Sequence, residues 1–159
     1  MGFTKEGKYR SDNYKVVVMK DNFDKAFKFI LKWEGGYSND KDDLGGETKY
    51  GISKRSYPNL DIKNLTIEMA KEIYKKNYWD KLGCDKLSFP MDIIAFDTSV
   101  NMGISTANEL LKNSNGDPKE FIILRIKKYK EIVEKNKKME KFFLGWINRT
   151  IDLYVYIRR

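Results

Sequence analysis

Six stretches of this chain place apolar side chains three or four residues apart, the spacing of one face of an α-helix. In the first stretch that face consists of Phe23, Ala26, Phe27, Ile30 and Leu31. Gly35 and Gly36 follow it directly and are typical of a helix end. Glycines and aspartates between Tyr37 and Ser53 predict turns, with "ETKYGIS" as the return strand of a hairpin. The expected fold class is mainly α with a small β-hairpin after the first helix.

Five more helices are expected after the hairpin. They begin near Thr66, Pro90, Ser105, Asp117 and Glu140. Asp117 and Glu120 resemble a capping box with Pro118 at the first helical position, and that helix is expected to reach about Lys138. The length of 159 residues suits one hydrophobic core. We therefore expect an N-terminal extension over residues 1–20 and a single domain over 21–159.

Composition narrows the chemistry. The chain has no histidine and one cysteine, Cys84, which excludes a disulfide framework, the common zinc sites and Ser-His or Cys-His nucleophiles. No metal or cofactor is expected, and acid or base chemistry must use carboxylates, Tyr or Lys. The formal charge of +8 favours polyanionic partners. The apolar runs are too short for membrane insertion, and no secretory signal is visible.

Glu34 stands at the end of the first helical stretch. It follows Phe23 by eleven residues, which places it within about 20° of the apolar stripe at ~100° per residue. A carboxyl group partly desolvated beside Trp33 or Tyr37 would hold a proton more readily, as a general acid requires. The alternative is a solvated carboxylate in the last turn, where the helix dipole disfavours it. Periodicity alone leaves both open.

Glycoside hydrolysis needs a second group to support a water molecule or the sugar carbon. The candidates in the loop are Asp40, Asp42, Asp43 and Glu47. Eight residues separate Glu34 from Asp43, and four separate Asp43 from Thr48. This spacing resembles the Glu, Asp, Thr triplet of phage-type lysozymes.

The longer segment "EGGYSNDKDDLGGETKYGIS" resembles the signature of glycoside hydrolase family 108, the N-acetylmuramidases of phage endolysins and secretion-activating muramidases. Three further segments are similar to the family: Leu65 to Leu82, Ala95 to Leu111 with its Val-Asn-x-Gly helix, and "FFLGWINR" from Phe142 to Arg149. The last is similar to a Gly-Trp-x-x-Arg stretch in the family's C-terminal predicted peptidoglycan-binding segment. The resemblance extends from about Asn22 to Arg149.

The resemblance implies a lysozyme-like fold and cleavage of the β-1,4 bond between N-acetylmuramic acid and N-acetylglucosamine. It implies that Glu34 is the catalytic acid and that Asp43 and Thr48 occupy the family's loop positions. A catalytic part would span about 21–113 and the C-terminal helical segment about 117–159. The chain is then expected to be a lysozyme-type glycoside hydrolase.

Other residues have two interpretations each. Tyr37, Tyr50 and Tyr57 either stack on sugar rings or pack on the core. Asn101 either points its amide at an acetamido group or Glu34, or makes a local hydrogen bond at its helix end. Asp97, one turn earlier, is expected to orient that end of the site by accepting a hydrogen bond.

The sequence is also consistent with other functions. A non-catalytic peptidoglycan-binding or secretion-assisting protein would grip glycan without Glu34, and a lytic transglycosylase would use one glutamate with the substrate's own hydroxyl. Nucleic-acid binding is not expected, because the basic residues are spread over several elements and common recognition motifs are absent. The expected partner is the peptidoglycan glycan strand. The expected route is synthesis in the cytoplasm followed by release to the wall through a holin-type pore or another export system.

Overall fold

The computed structural model describes residues 22–39 and 46–159. The extension over residues 1–20 and the loop residues Asp40, Asp42 and Asp43 lie outside the described residues. The elements, in chain order, are α1 (22–34), β1 (Thr48–Lys49), β2 (Ile52–Ser53), α2 (Ile67–Tyr74), a π-helical stretch (Lys75–Trp79), α3 (Asp80–Leu82), a 3-10 turn (Cys84–Lys86), α4 (Met91–Met102), α5 (Ile104–Asn113), α6 (Pro118–Lys135), a 3-10 turn (Lys137–Met139) and α7 (Glu140–Tyr156).

The predicted fold class is confirmed: the described residues are mainly helical, with one two-stranded antiparallel hairpin directly after α1. Local caps explain several helix starts. The Thr66 hydroxyl accepts from the Met69 amide at 3.2 Å, and the Asp117 carboxylate accepts from the Lys119 amide at 2.8 Å. The helix expected to reach Lys138 ends at Lys135, because Asn136 adopts an extended φ of −143°.

Helix α4 lies at the centre of the core. Every residue from Met91 to Ser99 is buried, which explains why this helix has no polar face. The Phe96 ring lies 5.8 Å from Phe23 and 5.4 Å from Trp79, both edge-on. These contacts fix α1 and the α2–α3 stretch against α4.

Helix α7 runs antiparallel to α1. Its Tyr156 hydroxyl donates to the Lys25 carbonyl at 2.9 Å, and its Asp152 accepts from the Trp33 indole at 2.8 Å. The same hydrophobic core contains Leu153 of α7 and Ile30 of α1. The C-terminal helix is therefore brought against the end of α1, where Glu34 lies. Within residues 22–39 and 46–159, none of the helices has the length and apolar character needed to cross a bilayer.

Candidate active site

Glu34 ends α1 as a half-buried carboxylate with 24% of its side chain exposed. Its Oε1 accepts a 2.7 Å hydrogen bond from Nη1 of Arg149 on α7. The aromatic neighbour considered from the sequence, Trp33, instead directs its indole to Asp152. The environment of Glu34 is therefore partly ionic.

Arg149 is held from its other side by Asp97 of α4. The Oδ1 atom of Asp97 accepts from Arg149 Nε at 3.1 Å and from Nη2 at 2.8 Å. Its Oδ2 accepts from Nη1 of Arg125 on α6 at 2.7 Å. Asp97 and Arg125 are both buried, so two guanidinium groups and two carboxylates, including Glu34, balance one another's charge inside the protein. The expectation that Asp97 accepts a hydrogen bond at this end of the site agrees with the geometry.

The charge of Arg149 is secured by these partners. Burial lowers its pKa, but attraction to the Asp97 and Glu34 carboxylates and the hydrogen bonds to them outweigh burial, and the net pKa is raised. Arg149 is therefore cationic at neutral pH. Because Asp97 holds this charged guanidinium with two hydrogen bonds, the hydrogen bond from Arg149 fixes the orientation of Glu34.

Asn101 joins the same network at the end of α4. The Tyr129 hydroxyl accepts from Arg125 Nε at 2.9 Å and donates to Oδ1 of Asn101 at 2.5 Å. The partner of Asn101 thus comes from α6, which differs from the local helix-end hydrogen bond considered from the sequence. The side-chain oxygen of Asn101 is therefore connected to Glu34 through a chain of hydrogen bonds.

The hairpin turn packs directly on Glu34. Tyr50 (φ 53°) and Gly51 (φ 77°) form the two-residue turn, and both have the positive φ that a type I′ turn requires. A Cβ on Gly51 would lie 2.5 Å from the Tyr74 hydroxyl and 2.8 Å from the Glu34 Cβ. Only glycine fits this approach.

Tyr74 of α2 forms a hydrogen bond to the hairpin turn. Its hydroxyl donates to the Tyr50 carbonyl at 2.8 Å. Burial, and then the negative charge of Glu34, raise the pKa of Tyr74, so it keeps the proton that this hydrogen bond uses. The hairpin, α2 and the end of α1 are thereby locked together around the carboxylate.

The other predicted hairpin residues lie further along the strands. Thr48 exchanges two backbone hydrogen bonds of 2.8 Å with Ser38, and its hydroxyl donates to the Gly46 carbonyl at 3.3 Å. Tyr37 is 47% exposed, and its hydroxyl donates to Glu47 at 2.7 Å. The structure thus places Tyr37 and Thr48 on the stretch between α1 and the turn, while Tyr50 lies in the turn beside Glu34.

Sequence reasoning did not identify Arg149, Arg125, Tyr74 or Gly51 as site residues. Gly51 was expected within the return strand "ETKYGIS", and this was wrong: the segment forms both strands of the hairpin, and Gly51 lies in the turn between them. Arg149 stands in the "GWINR" stretch, but nothing local in that stretch indicates a carboxylate partner.

Within the described ranges, no group of three His, Cys, Asp or Glu side chains is arranged to hold a metal ion.

Fold and site together define a class: a mainly α, lysozyme-like protein with a carboxylate at the end of its first helix, facing a β-hairpin. Residues 27–103 match the family model described as glycosyl hydrolase 108. The family resemblance predicted from the sequence is therefore confirmed over this segment. Arg125 and Arg149 lie beyond the matched residues.

One solved structure with a similar fold is that of Brucella abortus SagA, at 23% sequence identity and a TM-score of 0.69. The similarity covers 87% of this chain and 94% of that chain, and it shows a shared fold. No curated protein matches the chain.

Proposed function

We propose that this protein is a peptidoglycan hydrolase of the N-acetylmuramidase type, which cleaves the β-1,4 bond between N-acetylmuramic acid and N-acetylglucosamine. The match of residues 27–103 to a glycoside hydrolase family model supports the reaction class. The observation that carries the proposal is the placement of Glu34, a half-buried carboxylate held by Arg149 at the end of α1 and covered by the hairpin.

Glu34 is proposed as the general acid. Arg149 bonds only Oε1, and in the described part of the chain Oε2 has no hydrogen-bond partner. One oxygen is thus fixed while the other is left to carry a proton to the glycosidic oxygen. Fixing the carboxyl rotamer in advance lowers the entropic cost of reaching the reactive geometry.

Asp43 is proposed as the second catalytic group, on its spacing from Glu34 and Thr48 and on the family resemblance. An inverting reaction would use it to activate water, with the two carboxyl groups about 6.5–9.5 Å apart, and a retaining reaction would place them about 5–5.5 Å apart. Thr48, Tyr37, Tyr50 and Asn101 are proposed to contact the substrate. The positions of Tyr50 in the turn beside Glu34 and of Asn101 in its polar network support this role.

The biological setting that we propose is endolysin-like wall lysis after release through a phage holin-type pore or another export route. The net charge of +8 supports it, because bacterial walls are rich in phosphate and carboxylate groups.

The mass of the products from purified sacculi tests the reaction. A muramidase leaves hydrated N-acetylmuramic acid at each new reducing end. Anhydro-muramic ends would assign a lytic transglycosylase instead, and glycan binding without new ends would contradict an enzyme.

A further inference from the structure

A cleft lies near the candidate active site. It has a volume of about 400 Å³ and opens between the loop after the hairpin, the α2–α3 stretch and the start of α5. Its lining residues are Ser56, Tyr57, Asn77, Tyr78, Lys81 and Ile104. None of them is among the substrate-binding residues proposed above.

The cleft wall is connected to the surroundings of Glu34 through packed aromatic side chains. Tyr78 on its wall lies 5.6 Å from the Tyr74 ring, centroid to centroid, and Tyr74 touches the same turn that packs on Glu34. Burial, then Tyr57, then the charge of Glu34 raise the pKa of Tyr78, in agreement with this proximity. Tyr74 therefore contacts both the cleft wall and the turn that packs on Glu34. On the opposite side, Ile104 follows Asn101 by three residues.

The lining suits an N-acetylated sugar. The Asn77 amide donates to the Tyr57 hydroxyl at 2.9 Å, which orients both side chains. The tyrosine rings offer apolar faces for a pyranose ring, and the Asn77 carbonyl is an acceptor for an acetamido N–H. The volume is within the range of about 300–1,000 Å³ typical of small-ligand sites.

Lys81 adds a cation. Of the described residues that line the cleft, Lys81 alone is charged. Its ammonium group has no hydrogen-bond or ion-pair partner in residues 22–39 and 46–159, whereas the nearby Lys75 pairs with Asp80 at 2.5 Å and with Asp85 at 3.9 Å. An unpaired ammonium beside a sugar-sized cleft favours a ligand with a carboxylate.

We propose that this cleft binds the sugar that adjoins the cleaved bond and that Lys81 binds a carboxylate of the acidic peptide carried by muramic acid. The inference rests on the proposed function and specifies its substrate: glycan strands that still carry their peptides. Lys81 is thus a specificity-determining residue.

Lys81→Met tests this on two substrates, purified glycan strands with their peptides and the same strands after an amidase has removed the peptides. We expect kcat/KM to fall about fivefold on the peptide-bearing strands, the effect of one partly exposed ion pair, and to stay unchanged on the stripped strands. Lys76→Met, an exposed lysine of the same helical stretch that does not line the cleft, should change neither value. Unfolding temperatures report whether each variant is folded.

Tyr57→Leu tests the sugar contact and should lower kcat/KM on both substrates. If Lys81→Met has the same effect on both strands, or none, the role of Lys81 is overturned. An unchanged Tyr57→Leu would overturn the sugar site. These outcomes are distinct from failure of the proposed function, in which the wild-type protein would cleave neither strand.

Discussion

Arg149 donates a 2.7 Å hydrogen bond to Glu34, across 115 residues of sequence. This contact makes the last helix part of the candidate active site, because Arg149 is itself fixed by the buried Asp97. The carboxylate proposed as the acid is therefore positioned by α7 and α4, which lie behind it. Helix α7 supplies the cation that binds Glu34, and α4 supplies the carboxylate that orients this cation.

Arg149→Lys tests whether Arg149 positions Glu34 for catalysis, as distinct from a role in folding. A lysine retains the charge but cannot donate to Glu34 and Asp97 in the planar geometry of a guanidinium. We expect kcat to fall about a hundredfold with little change in KM, since misplacement of a catalytic group acts mainly on the transition state. Steady-state kinetics on peptidoglycan measure this, with Arg158→Lys, an exposed arginine just beyond the end of α7, as the matched control. Wild-type kcat in Arg149→Lys would contradict the role.

Gly51→Ala should damage both stability and activity. The added Cβ meets the Tyr74 hydroxyl and Glu34, on top of the strain of a positive φ. Gly46→Ala is the matched control, because Gly46 also has a positive φ (67°) but its Cβ would be 4.0 Å from the nearest atom. We expect Gly51→Ala to cost about 1–3 kcal/mol more than Gly46→Ala in free energy of unfolding. If urea titrations give the two variants the same loss of free energy of unfolding, the close approach of Gly51 to Tyr74 and Glu34 adds nothing to the cost of the substitution.

The helices could be predicted because their signals are local. The Thr66 and Asp117 caps and the apolar spacing of α1 are each contained within a few residues, and the phase of that spacing also placed Glu34 near the buried side. The end of α6 was missed because the extended backbone of Asn136 has no strong sequence signal.

The polar network could not be predicted, because its partners are distant in sequence. Arg125 and Asp97 are 28 residues apart, and Arg149 and Asp97 are 52 apart. A sequence pattern identifies a charged residue but does not identify which opposite charge it meets in the folded chain. The approach of Gly51 to Glu34 is a tertiary contact of the same kind.

Asp43→Asn tests the second catalytic group. If Asp43 activates water or stabilises the sugar carbon, kcat should fall about 10²–10⁴-fold. Asp42→Asn, the adjacent loop acid, serves as the matched control and should remain close to the wild-type rate. A similar small effect in both variants would assign Asp43 a role in shaping the loop.

Asp152 should give a measurable acid dependence of stability. The hydrogen bond from Lys32 lowers its pKa most, burial opposes this, and the Trp33 hydrogen bond lowers it further, so the folded pKa lies below 3.8. The stabilisation is therefore present above the unfolded pKa and is lost as the pH falls through the folded pKa. Asp152→Asn should lose less than about 1 kcal/mol at neutral pH. Its unfolding temperature should fall less steeply than that of the wild type between about pH 5 and pH 2. If the unfolding temperatures of the variant and the wild type fall in parallel as the pH is lowered, ionised Asp152 does not stabilise the fold.

Glu34→Gln provides the most direct test of the account. Glutamine keeps the shape of the side chain and can still accept from Arg149, but it cannot deliver the proton. Release of reducing ends from purified peptidoglycan should fall by at least about 10²-fold, while the unfolding temperature and glycan binding stay close to wild type. Glu134→Gln, an exposed glutamate paired with Lys130 on α6, should retain full activity. Wild-type turnover by a folded Glu34→Gln protein would contradict the assignment of Glu34 as the acid.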